Sequence, residues 1–226
     1  MSDLNEQEQW ELAKQKIREL WIYVVGGIAL GLGGLGAWNW WQERREVQAE
    51  TASARYEELI QAFQRNDATR GMTLLEELKS QYPWTPYPAL GTLIAVRVQV
   101  DGNELDKAAA GLKYVMDSAK DDEIRLIARM RLARVMSSQG KHDEALALLN
   151  VEDAGEFAPR LSDTRGDVLL AKGDRDGALR EYLAARASPN DGRLDQDILD
   201  LKIRDLGGTP PASPFADSSP ASNEAS

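Results

Sequence analysis

The segments LARVMSSQGKHDEALALL (residues 132–149) and RGDVLLAKGDRDGALREY (165–182) superpose at an offset of 33 residues. In that register Ala133 falls on Gly166, Met136 on Leu169 and Gly140 on Gly173. Further along, Asp143 falls on Asp176, Ala145 on Ala178 and Leu149 on Tyr182. Each slot has a physical role in a pair of antiparallel helices. A small residue at 133 and 166 lets the two helices approach. Glycine at 140 and 173 can end the first helix in a left-handed conformation that most side chains avoid. Asp143 and Asp176 sit at the start of the second helix, where a carboxylate suits the dipole and the unpaired N–H groups. Ala145 and Ala178 mark the close crossing, and Leu149 and Tyr182 fill the space beyond it.

A helix-turn-helix period of 33–34 residues is the mark of a tetratricopeptide-like repeat. Two looser units precede the aligned pair, at 51–83 and at 87–119, the latter with Asn103 and Ala108 near the glycine and alanine slots. The pattern also departs from the usual one: Arg165 stands at an apolar position, and Arg129 and Ser162 occupy the aromatic slot. From Glu43 to about Leu206 the chain reads as helix after helix, with short breaks such as Arg65-Asn66-Asp67 and Lys172-Gly173-Asp174 and no alternating strand pattern. GRLDQDILDLKIRDLG (192–207) reads as a last helix with Leu194, Ile198 and Leu201 on one side, a cap for the final apolar face. Stacked helix pairs present a concave face lined mainly by the first helix of each unit. The register puts Ile127, Met130, Arg134 and Ser137 on it in one unit, and Arg160, Asp163, Asp167 and Leu170 in the next.

Ahead of the repeats lies LWIYVVGGIALGLGGLGAWNWW (20–41), inside a run of 23 uncharged residues between Glu19 and Glu43. As a helix that run is about 34 Å long, against a hydrocarbon core of about 30 Å. Trp21 and Tyr23 lie at one end and Trp38, Trp40 and Trp41 at the other, the pattern of two interfacial belts. A cleaved signal is a poor fit, because residues 1–19 carry five acids and three bases and Trp-Asn-Trp-Trp stands where a small-residue cleavage site belongs. Six glycines between residues 26 and 36 disfavour a helix in water. In lipid they let another helix come close. Gly27 and Gly31, and Ala29, Gly33 and Ala37, form ridges at four-residue spacing that suit a partner helix. The expected layout is therefore an amphipathic tail at 1–19, a transmembrane helix at 20–42, an all-α tetratricopeptide-like solenoid at 43–206, and a Pro/Ser/Ala-rich disordered tail at 207–226. Charge counting favours the N-terminus inside by only three bases (Lys14, Lys16, Arg18) against two (Arg44, Arg45).

The net charge of −10 argues against nucleic acid, since no basic patch is gathered to neutralise phosphates. There is no cysteine, so thiol chemistry and disulfides are excluded. His142 is the only histidine and lies in a turn, a surface position without the partners that a metal site or a Ser-His-Asp triad requires. Asp174-Arg175-Asp176-Gly177 lacks the terminal glutamate of a calcium loop. Carboxylate pairs such as Glu57-Glu58 read as solvated helix faces. The residues point to no catalytic, cofactor or metal site, and what remains is surface for a polypeptide partner.

EQEQWELAKQKIREL, VVGGIALGLGGLGAWNWW, ASARYEELIQAF and RLARVMSSQGKHDEALALL, in this order, resemble the ancillary subunit of the Sec translocon, a bacterial inner-membrane family. The resemblance covers nearly the whole chain. It implies one N-terminal span, a periplasmic repeat domain, and partners that include the Sec translocon and a membrane-anchored prolyl-isomerase-like chaperone. It also implies a non-enzymatic role in assisting exported polypeptides. It carries over no catalytic residues, and the tail after Gly207 has no counterpart in it. The alternative that the residues leave open is a membrane-tethered scaffold facing the cytoplasm and binding a signalling partner.

Overall fold

The computed structural model describes residues 3–188 and 194–211; the side chains of 3–20 and several between 22 and 39 lie outside the described residues. The chain divides into two compact units, Met1–Arg55 and Tyr56–Ser226. Helix α1 covers Asp3–Gln64.

In the first unit the described side chains of the uncharged stretch are all exposed, Trp21, Leu32, Leu35 and Trp38 by 60% or more. A Cβ added at Gly27, Gly31 or Gly34 would meet nothing within 4 Å. At the C-terminal end of the stretch Trp38 packs on Trp41 with ring centroids 5.5 Å apart. The Arg44 guanidinium lies 4.7 Å over Trp40 and that of Arg45 3.8 Å over Trp41. Such cation–π contacts let a basic residue and an aromatic share one level. Among the described residues no helix is long and apolar enough to cross a membrane. The expected span at 20–42 falls largely on side chains outside the described residues, as do the amphipathic face of the tail and the stretch 212–226.

The second unit is a run of helix pairs, with no strand among the described residues. The end of α1 pairs with α2 (Ala68–Gln81), α3 (Tyr87–Asp101) with α4 (Leu105–Ser118), α5 (Asp122–Ser138) with α6 (His142–Leu148), and α7 (Ala158–Lys172) with α8 (Arg175–Ala187). Each pair turns on one residue with positive φ: Asn66 (59°), Asn103 (57°), Gly140 (78°) and Gly173 (96°). These turns are spaced by 37, 37 and 33 residues. Glycine and asparagine tolerate the left-handed region best, which is why they stand there. The same three slots are buried in all four pairs, and the one seven residues before the turn is small only in the last two. Seven residues before the turns stand Leu59, Val96, Ala133 and Gly166, five after them Gly71, Ala108, Ala145 and Ala178, and nine after them Leu75, Leu112, Leu149 and Tyr182, all buried.

Local signals set the helix starts. Asp67, Asp121 and Asp174 cap α2, α5 and α8 through their carboxylates, and Asp195 does the same for the last helix, α9 (Gln196–Asp205). Asp143, by contrast, does not cap α6. It lies in the first turn and pairs with Lys172 Nζ at 2.6 Å, while α6 has Lys141 at its N-cap with no side-chain bond. A longer connection that the sequence breaks do not mark joins α6 to α7 and contains a 3-10 turn at Gly155–Phe157. Its Phe157 enters the core with Leu149, Leu161 and Val168.

The last helix, α9 (Gln196–Asp205), presents a different face from the expected one. Leu199 and Ile203 are buried, with Leu194 and Leu206 packed beside them, whereas Ile198 is 53% and Leu201 57% exposed. Two apolar stripes compete on this helix at similar spacing, and ion pairs fix its rotation. Asp200 accepts from the buried Arg186 at 2.7 Å, and Lys202 reaches α7.

Candidate protein-docking surface

The first helix of each pair offers equivalent positions to one side of the stack. Ten residues before each turn stand Tyr56, Leu93, Met130 and Asp163, and six before it Ile60, Arg97, Arg134 and Asp167. The character of these positions, some exposed and some buried, changes along the series from apolar, through basic, to acidic.

At the C-terminal end the acidic positions are internally satisfied. Asp163, buried, and Asp167, half-buried, accept from Arg134 Nη2 at 3.3 and 3.2 Å and from Lys202 Nζ at 2.7 and 2.6 Å. The Tyr182 hydroxyl donates to Asp167 Oδ1 at 3.0 Å, and Lys202 Nζ lies 5.1 Å over the Tyr182 ring. Burial, then the negative charge of Asp167, push the Tyr182 phenol far above its ordinary range. Helix α9 thus brings its ammonium group onto the two carboxylates, and this part of the expected surface is occupied by the chain's own residues.

The other expected residues are distributed. Met130 is only 2% exposed and belongs to the core with Ala133 and Leu161. Ile127 packs half-buried against the same cluster. Ser137 Oγ lies 3.0 Å from Nδ1 of His142, which is half-buried. The Arg160 guanidinium lies 5.7 Å over the Phe157 ring, and Leu170 is exposed. Arg134 alone also faces an open groove. Of the ridge residues in the uncharged stretch, Gly27 and Gly31 are exposed, and Ala29, Gly33 and Ala37 lie outside the described side chains.

That groove, about 570 Å³, runs between α3 and α5 and ends at Tyr56. Helix α3 lines it with Leu90, Leu93, Ile94 and Arg97, and α5 with Arg131 and Arg134. Tyr56 stacks on Tyr87 with centroids 5.3 Å apart; burial, and then Tyr87, raise its phenol. Sequence reasoning missed Leu93, Arg97 and Arg131. The signal was available: setting Asn103 on Gly140 instead of keeping a 33-residue offset carries Met130 back to Leu93 and Arg134 back to Arg97.

Comparison with known proteins agrees with this architecture. A family model described as a tetratricopeptide repeat-like domain matches residues 14–208. A protein of Escherichia coli strain K12 named ancillary SecYEG translocon subunit is 30% identical over 202 residues, 89% of this chain and 97% of its own length. A Neisseria gonorrhoeae protein of the same name is also 30% identical, over 90% of this chain and 98% of its own. The chain belongs to the ancillary SecYEG translocon subunit family. An Aggregatibacter actinomycetemcomitans relative with that name is 27% identical over 90% of this chain. No solved structure matches. The matched region opens within α1, ahead of the uncharged stretch, and closes just after α9, so that stretch and the repeats together make up the family's domain.

Proposed function

We propose that this member of the family is a non-catalytic adaptor of the Sec translocon, anchored in the bacterial inner membrane with its repeat domain in the periplasm. It works beside a membrane-anchored prolyl-isomerase-like chaperone and assists exported polypeptides through protein–protein contacts. The observation that carries the reading is the match, over nearly their whole length, to relatives named for the translocon. The sequence adds an uncharged stretch of membrane-spanning length and a helical-repeat scaffold with an open groove.

In this reading residues 1–19 are a cytoplasmic tail, 20–42 the span, 43–206 the repeat domain and 207–226 a disordered tail. The ridge of Gly27, Ala29, Gly31, Gly33 and Ala37 meets a helix of a partner within the bilayer. Tethering raises the local concentration of the repeat surface at the membrane, so modest contacts suffice for association.

The reading is tested by extraction and protease access. The protein should stay in the membrane fraction after an alkaline carbonate wash, and protease added to intact spheroplasts should digest the repeat domain. Release by carbonate would contradict the anchor. Full protection from protease would contradict the periplasmic orientation and favour a cytoplasm-facing scaffold.

A further inference from the structure

The chain has a net charge of −10, yet the groove between α3 and α5 is walled by arginines. The repeat geometry explains how the imbalance arises. Arg134 meets the carboxylate of Asp167, which occupies the same slot one repeat later. Arg97 occupies that slot one repeat earlier, and its own successor in the series is Arg134, another cation. Neither Arg97 nor Arg131 has a carboxylate partner within ion-pair distance among the described residues. Arg131 gives one N–H to the Leu93 carbonyl at 3.4 Å. Its protonated form is disfavoured first by the partly dry wall it lies on, then by the positive charges of Arg160, Arg134 and Arg97. The one carboxylate lining the groove is Asp101, at the end of α3.

Guanidinium groups gathered in a half-apolar groove without carboxylate partners favour an anion among them. A carboxylate relieves the repulsion and accepts two parallel N–H bonds from the planar fork. Leu90, Leu93 and Ile94, beside Arg97 on α3, add a second requirement, for aliphatic or aromatic side chains next to the acids.

We infer that this groove takes an acidic, apolar-flanked segment of another polypeptide, with carboxylates on Arg97 and Arg131 and apolar side chains on Leu90, Leu93 and Ile94. The inference rests on the adaptor reading above and gives its docking surface a ligand chemistry. It also explains why the acidic end of the series is closed by Arg134 and Lys202: left open, those carboxylates would repel such a segment.

The test uses the full chain in detergent micelles and a fluorescent peptide that alternates glutamate with leucine and phenylalanine. A peptide with lysine in place of glutamate is the control. The acidic peptide should bind at least about tenfold tighter than the lysine peptide, and R97Q/R131Q should weaken it by about tenfold for each arginine. Binding should fall as salt rises. R97E/R131E should reverse the preference and take the lysine peptide, a gain that misfolding cannot produce. Equal binding of the two peptides, an unchanged affinity in R97Q/R131Q, or displacement of the acidic peptide by phosphatidylglycerol vesicles would overturn the inference. Recovery of translocon components with the wild-type chain is measured alongside. If that recovery stands while the peptides bind equally, only the groove assignment falls. If the recovery itself fails, the adaptor reading falls with it.

Discussion

The close approach of α7 and α8 makes a demanding prediction at Gly166. A Cβ built there would lie 2.6 Å from Tyr182 Cδ1 and 3.0 Å from Cζ, and closer still to Cε1. The Tyr182 ring is 1% exposed and its hydroxyl is held by Asp167, so it has no room to swing aside. Overpacking of this kind costs about 1–3 kcal/mol. Disturbing the hydroxyl–carboxylate bond adds about 1.5 kcal/mol, and the better helix propensity of alanine returns about 1. Gly166→Ala should therefore lose about 2 kcal/mol, or about 4–8 °C in Tm for a domain of this size. The preceding unit shows what rescue should look like, because there the same two slots hold Ala133 and Leu149, both fully buried. The double variant Gly166→Ala/Tyr182→Leu recreates that pairing. In urea unfolding monitored by circular dichroism, it should be less destabilised than the sum of the two single variants by about 1–2 kcal/mol. Strict additivity, or a Gly166→Ala protein more stable than wild type, would refute the slot assignment.

The same geometry has further consequences. Gly173→Ala forces an alanine into a φ of 96° and should cost about 1–2 kcal/mol, whereas Asn103→Gly should stay within about 0.5 kcal/mol of wild type; thermal melts compare the two. Asp174→Ala removes the N-cap bond to the Gly177 N–H at 2.8 Å and should cost about 1 kcal/mol. The raised pKa of Tyr182 means that its burial stabilises the fold below the ordinary tyrosine range and that this contribution is lost as pH climbs past about 10. Ultraviolet titration should show one phenol that ionises only on unfolding, and Tyr182→Phe should abolish that step. Asp143, on the surface beside Lys172, should titrate below the ordinary aspartate range by NMR and return to it in Lys172→Gln.

Much of the fold could be read from the chain because its determinants are local. A left-handed turn, a small residue five positions on and a large one nine on repeat closely enough for the last two units to reveal the pattern. The earlier units were blurred for two physical reasons: asparagine replaces glycine at the turns Asn66 and Asn103, and the spacing lengthens from 33 to 37 residues. The face of α9 was not legible. The stripes Ile198–Leu201 and Leu199–Ile203 are similar in apolar character, and the ion pairs that select the second reach to residues as far off as Asp163. The same long-range contacts hide the difference within the first-helix series, where Asp163 and Asp167 are taken up internally while Arg97 is left facing the groove beside Arg131.

A repeat scaffold held beside the protein-export channel is the central claim. Its most direct test is purification of the full chain from native membranes in mild detergent, with quantitative identification of what comes with it. SecYEG components and a membrane-anchored prolyl-isomerase-like chaperone should be recovered in amounts comparable to the bait. Recovery of the chain without either would contradict the claim.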